Sequence, residues 1–163
     1  MTILLSGFPP VIDHQTHTLI LGSFPGAKSL EIQQYYGYKH NQFWRLISSV
    51  LHENLSVLHY EDRLPRLLAH GFGLWDVIDA CDRVGSLDSN IRHARSNDFS
   101  FLRDRYPALK LIGFNGKTSA KFESQFLAAG FNTIVLPSSS PAYAIRTFEQ
   151  KLVDWKQLSR SSE

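Results

Sequence analysis

A chain of 163 residues, 43% of them hydrophobic, is long enough to bury one core, and its formal charge of +2 permits a phosphate-bearing partner without demanding one. A lone cysteine, Cys81, excludes an internal disulfide, and the histidines stand without metal-ligand spacing, so the reading is a reducing compartment, no metal and no cofactor. The opening MTILLSGFPP holds only a short apolar run without a basic flank, which excludes a signal peptide or membrane span and points to a cytoplasmic protein with one domain over residues 1–163.

In chain order, Phe8-Pro9-Pro10-Val11 is a stiff extended lead-in, because paired prolines cannot donate to a ladder. Leu19, Ile20 and Leu21 then form an apolar run that stops at Gly22-Ser23-Phe24-Pro25-Gly26, as a buried parallel strand does when its loop holds a site. Two glycines and a proline in five residues let the backbone approach a ligand closely, and ligands in open α/β sheets lie beyond the carboxyl ends of strands. Ser29 to Gln34 offers one turn of helix capped by Ser29. The run Tyr35-Tyr36-Gly37-Tyr38-Lys39-His40 is aromatic enough either to plug the core or to line a site.

From Asn41, apolar residues at Phe43, Leu46, Ile47, Val50 and Leu51 define one buried helical face. Asn41 takes the N-cap position, so a purely structural reading of it stands beside any chemical one. A second helix covers Glu61 to His70, with Pro65 in its first turn and Gly71 as its stop. Phe72 to Ile78 reads as a strand in which Asp76 is either exposed at the end or lining a polar pocket. Asp79 to Ser96 reads as loop; its Asp82, Arg83, Asp88, Arg92 and Arg95 suit either a solvated surface or a basic binding patch.

Asn97 caps a helix to Arg105, Leu109 to Phe114 is a strand, and Gly116 to Ala129 a helix stopped by Gly130. Thr133 to Leu136 is the last strand, followed by Pro137-Ser138-Ser139-Ser140-Pro141. The final helix runs from Ala142 to Leu158 with Phe148, Leu152 and Trp155 inward, and the tail from Ser159 to Glu163 is polar and frayed. Strands alternating with helices imply a parallel sheet with right-handed crossovers, and such a sheet brings the GSFPG and PSSSP loops to one side. Serine hydroxyls and free amides there suit a phosphate backbone, with Lys28, Lys39, Arg92, Arg95 and Arg146 nearby in the topology. No Walker motif, GxGxxG or G-x-S-x-G occurs, which leaves ATP hydrolysis, dinucleotide binding and covalent hydrolase chemistry without support.

Taken together, G-x-x-P-G after the first strand, an aromatic followed by Asn41-Gln42-Phe43-Trp44 at a helix start, and P-S-x-S-P before the last helix resemble the uracil-DNA glycosylase superfamily. The resemblance spans the whole chain. Within that superfamily the runs Leu19 to Trp44 and Leu136 to Ala144 are most similar to the hypoxanthine (deoxyinosine) DNA glycosylase branch. It implies a three-layer α/β/α sandwich on a four-stranded parallel sheet. It also implies a protein, expected to be a monomer, that acts on DNA containing deaminated bases and hydrolyses the bond between base and deoxyribose without a metal. By the same resemblance Asn41 orients the attacking water. Gly22, Ser23, Phe24, Tyr36 and Asp76 form the base site, with Tyr36 stacking and Asp76 accepting the ring N–H of hypoxanthine or uracil. Ser138, Ser139, Ser140 and Pro141, with Ala142 and Tyr143, are the wedge and phosphate clamp, and Arg146 is a backbone contact. Phe24 stands where better-known members carry a water-activating Asp or Asn, and Leu136 where a histidine often opens the last motif. These departures motivate an alternative, a non-catalytic module that binds damaged or mismatched DNA; an enzyme on free nucleosides is a third reading.

Overall fold

The computed structural model describes residues 4–161, so residues 1–3 of the N-terminal lead and 162–163 of the polar tail lie outside it. Its strands are β1 (Leu5–Ser6), β2 (Thr18–Gly22), β3 (Phe72–Asp76), β4 (Ile78–Asp82), β5 (Arg92–Ser96), β6 (Leu111–Asn115) and β7 (Asn132–Leu136). The order β3-β2-β6-β7 makes a four-stranded parallel sheet, with β2 buried along its whole length, as a strand between two helical layers must be.

Period-two alternation sorts the sheet's side chains into two cores. Ile20, Phe72, Leu74 and Leu111 pack against the helices α2 (Phe43–Leu51), α3 (Tyr60–Ala69) and α7 (Phe148–Trp155). On the other face Leu19, Leu21, Trp75, Ile112 and Phe114 meet α4 (Leu102–Arg105) and α6 (Glu123–Ala128). The short helices α1 (Ala27–Ile32), α5 (Lys117–Ala120) and α8 (Gln157–Ser161) complete a three-layer α/β/α sandwich. Among the described residues no helix is long and apolar enough to cross a membrane.

Several local expectations change. The stretch read as loop between Asp79 and Ser96 contains β4 and β5, which form with β1 a second, antiparallel sheet. All five residues of β5 are exposed, so it carries no apolar alternation to betray it. Phe72 to Ile78 is accordingly two strands joined at Val77. Asn97 caps nothing: its amide donates to the Asp76 carbonyl at 2.7 Å and its N–H to the Val77 carbonyl at 2.9 Å, tying the corner where the two sheets meet. Ser29 lies inside α1 and accepts from the Gly37 N–H at 3.0 Å, and Pro65 sits in the body of α3. Gly116 to Ala129 divides into α5 and α6. Residues 142–147 remain loop, and α7 starts only after Thr147, where a reciprocal capping box with Gln150 closes the helix end. Residues 159–161 of the tail are helical.

Candidate active site

Strand register decides which side chains meet at the carboxyl edge of the parallel sheet. Gly22 pairs with Asp76, and Leu21 pairs with Phe114, so Asp76, Gly22 and Asn115 end three neighbouring strands in one row, on the face of Ile20 and α2. The middle position is bare. A Cβ at Gly22 would stand 2.6 Å from Asp76 Oδ1 and 2.9 Å from the Tyr36 hydroxyl, so only glycine lets those two groups close over the strand end.

Tyr36 hangs above this row in a left-handed backbone conformation, φ 54°, which is uncommon for a non-glycine residue. Its ring stacks on Phe43 with centroids 4.1 Å apart, and its hydroxyl accepts from Asn115 Nδ2 at 3.3 Å. Burial, with the Asp76 carboxyl beside it, holds the phenol far above its ordinary range, so it stays protonated.

Asn41 Oδ1 accepts from the Phe43 N–H at 2.9 Å and from the Ser139 hydroxyl at 2.8 Å. Gln42 occupies the N-cap position, yet Asn41 makes a capping bond. Both lone pairs of Oδ1 are thereby used, and among the described residues Nδ2 has no protein partner. The free end of this amide is therefore its donor end.

Ser139 is the hub behind Asn41 and is only 1% exposed. Its N–H donates to Asn115 Oδ1 at 2.8 Å, its hydroxyl accepts from Asn115 Nδ2 at 2.9 Å, and its carbonyl accepts the Gln42 N–H at 2.9 Å. Of the three serines expected to clamp phosphate, this one faces inward with its polar groups spent. Ser138 and Ser140 stay at the rim, where their hydroxyls accept loop N–H groups of Ser140 and Ala142. Lys151 fastens the loop from within: its buried ammonium donates to Gln42 Oε1 at 2.8 Å and to the Ser140 carbonyl at 3.3 Å, and desolvation lowers its pKa.

The opposite lip is the Gly22 to Gly26 loop, held by the β4–β5 hairpin. Ser23 donates to Asp88 Oδ1 at 2.8 Å, and Ser86 Oγ accepts from the Ala27 N–H at 2.9 Å. Arg83, which sequence reading placed among surface charges, is buried beneath this loop. It donates to the carbonyls of Pro25 at 2.7 Å and Gly85 at 2.8 Å, with its guanidinium 5.3 Å from the Phe24 ring.

Between the lips lies a cavity of about 650 Å³ that gathers Gly22, Ser23, Phe24, Tyr36, Asn41, Asp76, Asn115 and Ser138 to Pro141. Asp76 is 4% exposed, and its Oδ2 is buried without a hydrogen-bond partner. Burial, reinforced by the Asp88 carboxylate and opposed by Arg83, pushes its pKa up to about 7. A wider hollow of about 1040 Å³ beside His17 and Lys110, at the other edge of the sheet, holds no comparable orphaned group. Arg146 is not in the cavity; it borders a hollow of about 250 Å³ next door, ion-paired with Asp154. Lys28 lies at the rim, 3.5 Å from Glu31. Among the described residues no group of three or more His, Cys, Asp or Glu side chains is placed to hold a metal ion.

Asn115, Ser86 and Asp88 line the cavity without having been singled out for it. For Asn115 a signal existed: like Gly22, it closes a buried apolar strand just before a glycine turn.

Comparison with known proteins adds a family to this geometry. The pattern of the uracil DNA glycosylase superfamily matches residues 9–159. A hypoxanthine DNA glycosylase of Methanosarcina barkeri is 44% identical over 151 residues, which cover 93% of this chain and 95% of that protein. Another, of Methanosarcina acetivorans, is 44% identical over 154 residues, covering 94% and 97%. A solution NMR structure of a candidate uracil DNA glycosylase from Methanosarcina acetivorans superposes with a TM-score of 0.89 at 41% identity, covering 98% of this chain and 99% of that one.

Proposed function

The chain belongs to the uracil DNA glycosylase superfamily, and from that premise we propose that it hydrolyses the N-glycosidic bond of deaminated bases in DNA, hypoxanthine first and uracil second, to open base excision repair. The observation that carries this reading is one cavity lined by both the Asp76 carboxyl, whose oxygens have no hydrogen-bond partner among the described residues, and the unspent amide of Asn41. A target base must leave the stack to be cut, and the cavity is roomy enough for a purine. Tyr36, backed by Phe43, is its platform; Asp76 meets its edge; Gly22, Ser23 and Phe24 wall it.

In the reaction the bond from base to C1′ breaks, its electron pair leaves with the base, and water adds to C1′ and gives up a proton. Positive charge grows on the sugar and negative charge on the base, so fixed dipoles at the right places supply much of the acceleration. Asn41 Nδ2 donates to the oxygen of the attacking water and holds it under the sugar. Ser139 keeps that amide turned the right way. Pro141, Ala142 and Tyr143 wedge the opened duplex, while Ser138, Ser140 and Arg146 contact phosphates. No Schiff-base step is assigned, and the product is an intact abasic strand. The same reading makes the enzyme a cytoplasmic monomer.

The test is excision from a duplex carrying one deoxyinosine, with chelator present, read as alkali-dependent cleavage, with a deoxyuridine duplex alongside. Cleavage at inosine is the expected result. A duplex that is bound but stays whole, while a known inosine glycosylase cuts it, would replace the enzyme with a DNA-binding module in which Phe24 and Leu136 have displaced the chemistry.

A further inference from the structure

We propose that Asp76 meets the flipped base as a neutral carboxylic acid and donates its carboxyl proton to an acceptor atom on the edge of the departing base. This rests on the glycosylase reading above but assigns Asp76 the opposite polarity to that expected from sequence, a donor where a carboxylate acceptor was read.

The geometry points there first. Among the described residues neither side-chain oxygen of Asp76 takes part in a hydrogen bond; only its backbone carbonyl does, from Asn97. An ionised carboxylate can only accept, and a buried one is ordinarily surrounded by donors or a cation. Among the described residues no element packed around Asp76 makes such a bond to its carboxyl. From the segment before α2 come the phenols of Tyr35, whose hydroxyl donates to the Pro9 carbonyl, and Tyr36, which stays protonated and makes no hydrogen bond to the carboxyl. From the hairpin comes Asp88, another negative charge. Arg83 is the cation on that side; its Nε and Nη2 donate to the carbonyls of Gly85 and Pro25, and its buried Nη1 makes no hydrogen bond to Asp76. With no donor bonded to either oxygen, a proton is the partner that satisfies the carboxyl, and the raised pKa of Asp76 agrees.

The chemistry asks for the same thing. A departing base gains negative charge, which a carboxylate at its edge would repel and an acid would stabilise. Two serine hydroxyls at the site are committed: Ser139 donates to Asn41 and Ser23 to Asp88. Leu136, at the end of β7, is apolar. As the bond from base to C1′ breaks, the carboxyl proton of Asp76 shifts to the base. Asp76 becomes a carboxylate, and the proton released by the attacking water returns through solvent to restore the acid once the base has left.

Single-turnover excision of deoxyinosine with enzyme in excess, measured from pH 5.5 to 9, separates this step from DNA binding. The wild-type rate should fall about tenfold for each pH unit above one ionisation near neutrality. Asp76→Asn, whose amide still donates, should retain measurable excision and lose that fall, whereas Asp76→Ala should lose about 10²-fold or more at pH 6.5. A wild-type rate that climbs through the same ionisation, with Asp76→Asn inactive but folded by circular dichroism and still binding the duplex, would overturn the proposal in favour of a carboxylate acceptor. So would a rate independent of pH. Complete absence of wild-type excision at every pH would instead count against the glycosylase reading.

Discussion

The two walls of the cavity are built by opposite rules. On the wall of Asn115, Ser139 and Asn41, nearly every side-chain donor and acceptor is spent inside the protein, and among the described residues Asn41 Nδ2 is the side-chain group left over. On the wall of Asp76 the side chain is buried with nothing bonded to it. A saturated network fixes a group's direction, because each rotation breaks several bonds at once. An orphaned buried group does the reverse: it lowers stability until a ligand supplies the missing partner. Geometry and affinity are thus assigned to different walls.

Breaking the saturated wall at its working end should have the largest effect. Asn41→Ala should lower single-turnover excision about 10²- to 10³-fold while duplex affinity stays near wild type, and loss of its capping bond should cost about 1 kcal/mol. Excision that survived unchanged would remove Asn41 from the chemistry.

Neutralising the orphaned wall sharpens the contrast through stability. The Asp76 pKa is about 7 in the folded chain against an ordinary 3.8, so the folded state holds the extra proton between those values. Its stabilising share is complete below pH 4 and is lost as pH rises through 7. Asp76→Asn cannot ionise, so denaturant unfolding at pH 8 should show it more stable than wild type by up to about 4 kcal/mol, the gap vanishing at pH 4. A variant no more stable at pH 8 would mean that the carboxyl is not held in a costly state.

Filling the bare position between the walls comes next. Gly22→Ala places a methyl 2.6 Å from Asp76 Oδ1, and should cost about 1–3 kcal/mol and most of the excision activity by narrowing the cavity floor. Ser139→Ala cuts the link between Asn115 and Asn41. Excision should fall roughly tenfold, with a stability loss of about 1–3 kcal/mol. In an Asn41→Ala background the kinetic loss should disappear and the stability loss remain, and full additivity in rate would deny that Ser139 acts through Asn41. The smallest effect belongs to Arg146→Ala. Its guanidinium is exposed and already paired with Asp154, so duplex affinity at about 0.1 M salt should drop threefold or less.

What could be read from residues alone follows the range of the interactions. The parallel strands, the Gly22 to Gly26 loop and the helix after Asn41 announce themselves through local apolar runs and breakers. The β4–β5 hairpin does not, because β5 is exposed at every position and its pairing has register shifts. Ser139 is legible as a loop serine; its inward turn depends on Asn115, 24 residues away, and Asn41, 98 residues away. Lys151 was in reach, since it shares the stripe of Phe148, Leu152 and Trp155, but a lysine at such a position reads as solvent-facing until Gln42 and the Ser140 carbonyl appear beside it. The polarity of Asp76 lay beyond sequence, because a missing partner is a property of the surroundings.

The corner at Val77 also sets a rule for redesign. The chain passes from β3 to β4 through this single buried residue, whose N–H is bound by the Gly22 carbonyl and whose carbonyl accepts from the Asn97 N–H. The antiparallel sheet is therefore spliced into the parallel one within one residue of Asp76, and cannot be excised as a cassette. The exposed tip residue Val84 is open to exchange, whereas any graft that moves the splice redraws the floor of the cavity with it.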